Sequence, residues 1–187
     1  MLQTSESKVT LRKVAHTDVD TYHKWRNDFE VMNSTSLSLD VYSLEETKDF
    51  FEQVILNGNH SKSYIIEETE GNNPIGITSL INIDSKNRNA EFIIDIGEKE
   101  YWGQGIATIV LKEILDFAFF ELNLHKVYLK VFSFNEKAVH LYTKLGFKQE
   151  GANREALFRG NRWHDIIHMG ILKKEWELNK ESRAVTN

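Results

Sequence analysis

Between Lys62 and Gly97 the chain passes through three β-rich runs separated by turns too short for a crossover. "KSYIIEET" and "PIGITSLINI" are dense in β-branched residues and are joined by "EGNN"; "DSKNRN" then leads into "AEFIIDIG". That density favours strands, and a parallel return would need a dozen or more residues. The segment is therefore expected to be an antiparallel meander. The period changes directly after it, behind "EYWGQG". Ile106, Ile109, Val110, Ile114, Phe117 and Leu122 stand at helical spacing, with Leu115 and Phe119 widening the stripe. A helix from about Gln104 to Leu122 is predicted.

The flanks add further elements. "KVTLRKV" alternates as a first strand, and helical spacing follows from Thr17, taken as N-cap, through "DVDTYHKWRND". Ser43 with Glu46 forms a capping box ahead of "LEETKDFFEQVILN". "HKVYLKVF" reads as a strand, and "NEKAVHLYTKLG" as a short helix with Asn135 as N-cap and Gly146 as stop. "FKQEGANREALFR" and "RWHDIIHMGIL" form a closing hairpin around "GN". The order β-α-α-β-β-β-α-β-α-β-β implies an α/β fold with a mixed sheet. With 187 residues, one Pro and no Gly/Ser-rich linker, one domain over 1–187 is expected, with a core of about 8–176 and a disordered tail at 179–187.

Composition excludes several functions. The chain has no Cys, so a disulfide framework, a thiolate metal site and a Cys nucleophile are ruled out. A net charge of −5 argues against nucleic acid as partner. No apolar run approaches a membrane span, and "MLQTSESKVTLRK" lacks the apolar core of a signal peptide. A cytoplasmic domain without a membrane partner is the expectation. His164 and His168 would suggest a metal pair on a helix, but "RWHDIIHMGIL" alternates as a strand, so they are same-face neighbours and no metal is expected.

"EYWGQGIAT" stands between a strand and a helix. The main-chain N–H groups from Trp102 to Thr108 are donors of a helix N-terminus, which favours an anion. The glycines let a ligand approach where a Cβ would block it. A pyrophosphate is the functional expectation; an ordinary glycine-rich helix entry is the plain alternative. A dinucleotide fingerprint would need Gly where Thr108 stands, and a Walker loop would end in Gly-Lys-Ser/Thr, which is missing.

"YWGQGIAT", its long helix, "LHKVYLKVFSFN" and "NEKAVHLYTKLGFKQEG" together resemble the GNAT superfamily of N-acetyltransferases. Trp102-Gly103-Gln104-Gly105-Ile106-Ala107 stands on that family's acetyl-CoA loop pattern, Gln/Arg-x-x-Gly-x-Gly/Ala, with Trp102 departing at the first position. "WRNDFEVM" and "GNRWHDIIHMGIL" resemble the ribosomal-protein (RimJ/RimL-like) branch; "LNLHKVYLKV" and "KAVHLY" are similar to the bacterial spermidine acetyltransferases. The likeness runs from about Val9 to Trp176. It implies a mostly antiparallel central sheet with helices on both faces, a splayed pair of core strands, and acetyl-CoA as cofactor with coenzyme A as product.

Acetyl transfer needs a deprotonated amine, a stabilised oxyanion and a protonated leaving thiolate. The resemblance makes Tyr142 the proton donor; by periodicity alone it is a packing aromatic beside Leu141 and Leu145. Glu91 is the candidate base, with a solvated strand-end charge as the alternative; Asp95, on the same strand face, is a weaker candidate. The family pattern has the backbone of Ile93, Ile94 and Asp95 pair with pantetheine amides and Asn135 touch the pantetheine arm, alongside its N-cap role. Ile106, Ala107 and Thr108 complete the cofactor loop. Tyr22, Trp25 and Arg26 fall on the first helix, which walls the amine site in relatives; a surface or salt-bridged Arg26 is the other reading.

A polyamine acceptor needs carboxylates, and "NSTSLSLDVYSLEE" offers only Asp40, Glu45 and Glu46. A protein or peptide N-terminal amine is therefore the expected acceptor, with polyamines and amino sugars or aminoglycosides as alternatives. A non-catalytic acyl-CoA-binding module and a nucleotide-binding protein are the readings of other classes. By analogy with the family, a homodimer is the assembly the resemblance raises.

Overall fold

The computed structural model describes residues 8–184, with side chains to residue 181. It divides into two compact units. The first runs to Asn82 and takes in Phe92–Ile114; the second comprises Ile83–Glu91 and the chain from Leu115 onward.

The first unit begins with β1 (Val9–Lys13), a 3-10 turn at His16–Asp18, α1 (Val19–Arg26), α2 (Phe29–Thr35) and α3 (Leu44–Phe50). Next come β2 (Lys62–Glu68), β3 (Pro74–Asp84) to Asn82, β4 (Asn89–Ile96) from Phe92, and the opening of α4 (Ile106–Asp116). β1 and β2 pair antiparallel, as do β2 and β3. Leu11, Ile65, Ile66, Ile75, Ile77 and Leu80 are buried, and β2 is buried on both faces from Ser63 to Glu67 rather than alternating. Ile65 and Ile77 pack on Trp25 of α1, with Tyr22 and Ile55 around them. Each such aliphatic side chain contributes about 1.5–3 kcal/mol on burial.

The second unit contains the start of β4, the end of α4, β5 (Lys126–Phe132), α5 (Glu136–Leu145), β6 (Lys148–Arg159), β7 (Arg162–Leu172) and α6 (Lys173–Ala184). β4 and β5 run parallel through three pairs, Asn89↔Lys126, Ala90↔Val127 and Glu91↔Tyr128, while β5 itself runs on to Phe132. So short a ladder fits the splayed pair that the family likeness implies. β5–β7 and β6–β7 are antiparallel. The tip of the last hairpin turns through Gly160 and Asn161, at φ 58° and 60°, the left-handed pair of a two-residue turn. Seven strands thus follow the order β1-β2-β3-β4-β5-β7-β6, mostly antiparallel as expected.

Four boundaries differ from expectation. Thr17 is not an N-cap: it lies inside the 3-10 turn, and α1 starts after Asp18. Asp18 is fixed there because its carboxylate takes Ala15 N–H (2.8 Å) and two Arg12 donors (2.6 and 2.7 Å). α2 was not foreseen as a separate helix; Asp28 starts it by accepting from Glu30 N–H at 2.9 Å. The long helix opens at Ile106 rather than Gln104 and ends in a π-helical turn, Phe117–Glu121. The expected tail is helical through Ala184, and residues 185–187 lie outside the described residues. Buried Trp176 holds α6 by donating its indole N–H to Asp116 at 2.7 Å. Among the described residues no helix is long and apolar enough to cross a membrane.

Candidate active site

In the first unit, the turn after β4 presents main chain outward. Gly103 and Gly105 have φ of 76° and 81°, in the region that disfavours side chains. A Cβ on either would have nothing within 4 Å, so the space over both glycines is open. The flanking side chains fold back: Trp102 Nε1 donates to Ile96 O at 2.8 Å, and Gln104 Nε2 to Glu100 O at 2.7 Å. Trp102 N–H is used on Lys99 O and Thr108 N–H on Gly105 O, both at 3.0 Å. The expected donor row is therefore narrower than Trp102 to Thr108. Among the described residues, the N–H groups of Gly103 to Ala107 have no main-chain acceptor. They stand at the positive end of the α4 dipole, an arrangement suited to a phosphate.

The same unit holds a pocket of about 240 Å³. Tyr22, Trp25 and Arg26 line it, as the sequence led us to expect of α1, and they are joined by Thr35 of α2, by Tyr42 and by Phe50. Trp25 is held by a bond from its indole N–H to Glu98 Oε1 at 2.9 Å. Arg26 makes no ion pair among the described residues. Its guanidinium lies over the rings of Tyr42 (3.8 Å) and Phe50 (4.4 Å), so those two faces already carry a cation. Burial and the nearby Asp95 charge push the Tyr22 hydroxyl well above its ordinary pKa.

Asp95 also lines the pocket. Its Oδ1 is sealed from solvent and has no hydrogen-bond partner. Burial pushes its pKa up to about 6, against a bond from the Thr35 hydroxyl that lowers it. That hydroxyl also reaches Val31 O at 3.2 Å, and its single proton serves one acceptor at a time. Two of the three carboxylates expected after the first helix are used locally. Glu46 closes the capping box on Ser43 N–H (2.8 Å), and Asp40 accepts from Val41 N–H (2.8 Å). Of the main-chain groups assigned to pantetheine, Ile93 O accepts from Thr78 Oγ1 at 2.9 Å.

The second unit carries the other candidates. Glu91 is buried and ion-paired with Lys130, Oε1 to Nζ 3.0 Å. It is therefore no solvated strand-end charge, and any proton it accepts must be taken up beside an ammonium. Tyr142 is 9% exposed and packs on Phe147, ring centroids 5.8 Å apart. Asn135 caps α5, its Oδ1 accepting from Ala138 N–H at 3.2 Å. His164 and His168 both lie on β7, and His164 meets Phe134 edge-on at 4.8 Å. Among the described residues no cluster of three or more His, Asp or Glu is arranged to hold a metal.

Sequence reasoning passed over Tyr42, Phe50 and Thr35, and gave Asp95 a main-chain role and only a minor acid–base one. Nothing local marks these residues, because the pocket is made by convergence of α1, α2, α3 and β4.

Residues 8–148 match the acetyltransferase (GNAT) domain family. The spermidine N(1)-acetyltransferase of Vibrio cholerae is 35% identical over 180 residues, 93% of this chain and 98% of that protein. A putative ribosomal N-acetyltransferase of Bacillus subtilis, YdaF, is 37% identical over 105 residues, 56% of this chain and 57% of its own length. Among solved structures, the Vibrio cholerae spermidine N-acetyltransferase in complex with CoA and spermine superposes with a TM-score of 0.82 at 34% identity, covering 92% of this chain and 99% of that one.

Proposed function

Starting from a chain that belongs to the GNAT acetyltransferase family and is an acetyl-CoA-dependent N-acetyltransferase, we propose that its acceptor is an aliphatic polyamine of the spermidine and spermine class. The observation that carries the reading is likeness along nearly the full length to a spermidine N(1)-acetyltransferase. The shortage of acidic residues after the first helix had favoured a peptide amine. Asp95 answers that objection, because it brings a carboxylate to the α1–α2 pocket from β4. The likeness to the putative ribosomal enzyme spans little more than half of either chain, which gives the peptide reading less support.

Acetyl-CoA supplies the activated thioester. In this reading the N–H groups of Gly103 to Ala107 hold its pyrophosphate, the strand edge at Ile93 to Asp95 aligns the pantetheine amides, and Asn135 steadies that arm. Tyr22, Trp25 and Arg26 wall the acceptor. The amine gives up a proton through Glu91 or water before it attacks the thioester carbon. The N–C bond forms, the C–S bond breaks, and Tyr142 gives its phenolic proton to the departing thiolate, to be reprotonated from solvent. Phenol suits this step because its reference pKa of about 10 keeps it protonated at neutral pH.

The test is thiol release from acetyl-CoA with spermidine, spermine, N-terminal peptides and aminoglycosides. The chain has no Cys, so the protein adds no thiol background. Release with the polyamines is expected. Release with peptides alone would replace the polyamine by an N-terminal amine, and CoA binding without release would leave the non-catalytic module.

A further inference from the structure

Charged side chains rarely stay buried without a partner, because an ion moved from water into a protein interior loses solvation that only pairing restores. Asp95 is half-buried, and its Oδ1 is sealed and unpartnered beside a pocket whose other lining groups are aromatic, aliphatic, hydroxyl or, at Arg26, cationic. No other carboxylate lines that pocket. The faces of Tyr42 and Phe50, which would otherwise attract a cation, are taken by the Arg26 guanidinium. A cationic ligand in this pocket therefore has one anionic acceptor to find.

We infer that Asp95 is the specificity-determining residue of the acceptor pocket, binding through its carboxylate an ammonium of the acceptor other than the one that is acetylated. This rests on the reading of the pocket as the acceptor site. It makes the preferred acceptor a molecule with at least two ammonium groups, of which one remains charged throughout the reaction. Arg26 limits the pocket to one such group, since a second cation there would meet the guanidinium with no further carboxylate to balance it.

The titratable or charged groups that line the pocket with Asp95 are Tyr22 and Arg26 on α1, and Tyr42. Tyr22 is held neutral well above pH 8. Alkylammonium groups titrate near ~10. Between pH 5 and 8 Asp95 changes state, at about 6.

The experiment compares 1,4-diaminobutane with 1-aminobutane as acceptors, in the wild-type chain and in Asp95→Asn. Loss of one partner of a buried charge pair corresponds to a fall of about 10²-fold. The ratio of kcat/KM for diamine over monoamine is expected to collapse by that factor in Asp95→Asn. Equal losses for both amines would overturn the inference and assign Asp95 to the proton transfer or to the fold. A second measurement does not depend on turnover: calorimetric binding of 1,4-diaminobutane to the CoA-saturated protein. Affinity should rise about tenfold per pH unit below pH 6 and level off above it, a rise that Asp95→Asn lacks. Flat binding in the wild type would overturn the inference. If no amine in any panel is acetylated but this rise is present, the function fails and the ammonium site stands.

Discussion

The indole of Trp25 lies against Gly97 so closely that a Cβ on that glycine would stand 2.2 Å from Trp25 Cγ. Trp25 is 3% exposed, packed on Ile65 and Ile77, and tied to Glu98. The ring therefore has no room to retreat. Gly97→Ala is expected to destabilise the protein by about 1–3 kcal/mol, the usual cost of overpacking. Because Trp25 walls the pocket, KM for the amine should rise as well. Urea unfolding and steady-state kinetics on the same preparation check both effects.

Asp95 makes the stability depend on pH in an unusual direction. A carboxyl whose folded pKa is raised, here from 3.8 to about 6, keeps a proton that the unfolded chain has already released. Stability therefore falls as pH rises between about 4 and 6 and stays lower above that window. A shift of this size corresponds to about 3 kcal/mol. Asp95→Asn should be more stable than the wild type at pH 7 to 8, and the gap should close below pH 4. Asp18 and Glu98, whose ordinary tendency on burial to rise is outweighed by Arg12 and by Lys24 with Trp25, lose stabilisation in acid in both proteins and cancel in the comparison. Thermal unfolding at four pH values decides it.

Two substitutions at Gly105 separate backbone strain from blocked space. At φ 81°, Ala costs about 1–2 kcal/mol in backbone energy and adds only a methyl group in the open. Trp carries the same strain and fills the space over the loop. Gly105→Ala should weaken CoA binding by about tenfold and Gly105→Trp should abolish it. Calorimetry with CoA gives both values, and undiminished binding by Gly105→Trp would remove the loop from the cofactor site.

Tyr142→Phe keeps the ring that packs on Phe147 and deletes the proton. A positioned acid contributes roughly 10²–10⁴-fold, so kcat should drop by at least about 10²-fold while CoA affinity and unfolding midpoint stay put. An unaltered kcat would return Tyr142 to packing alone.

What was legible in the sequence is what local physics decides. The β-branched density and short turns of β2 to β4, the capping box of Ser43 with Glu46, and Asn135 and Gly146 bounding α5 all depend on residues close in the chain, and they stand as expected. Thr17 misled because the start of α1 is set at Asp18, whose carboxylate is held by Arg12 of β1 and by Ala15 N–H. The α6 helix was missed because its anchor, Trp176 on Asp116, spans sixty residues of sequence. The pocket was half visible: the family likeness pointed to Tyr22, Trp25 and Arg26 on α1, but the place of the Asp95 side chain in it depends on which elements face it.

The outward face of the turn at Gly103 to Ala107 is bare peptide, with both flanking side chains folded away. Those amide protons are open to deuterium exchange in the free protein and become shielded once an anion seats on them. The turn is thus a built-in isotopic reporter of occupancy.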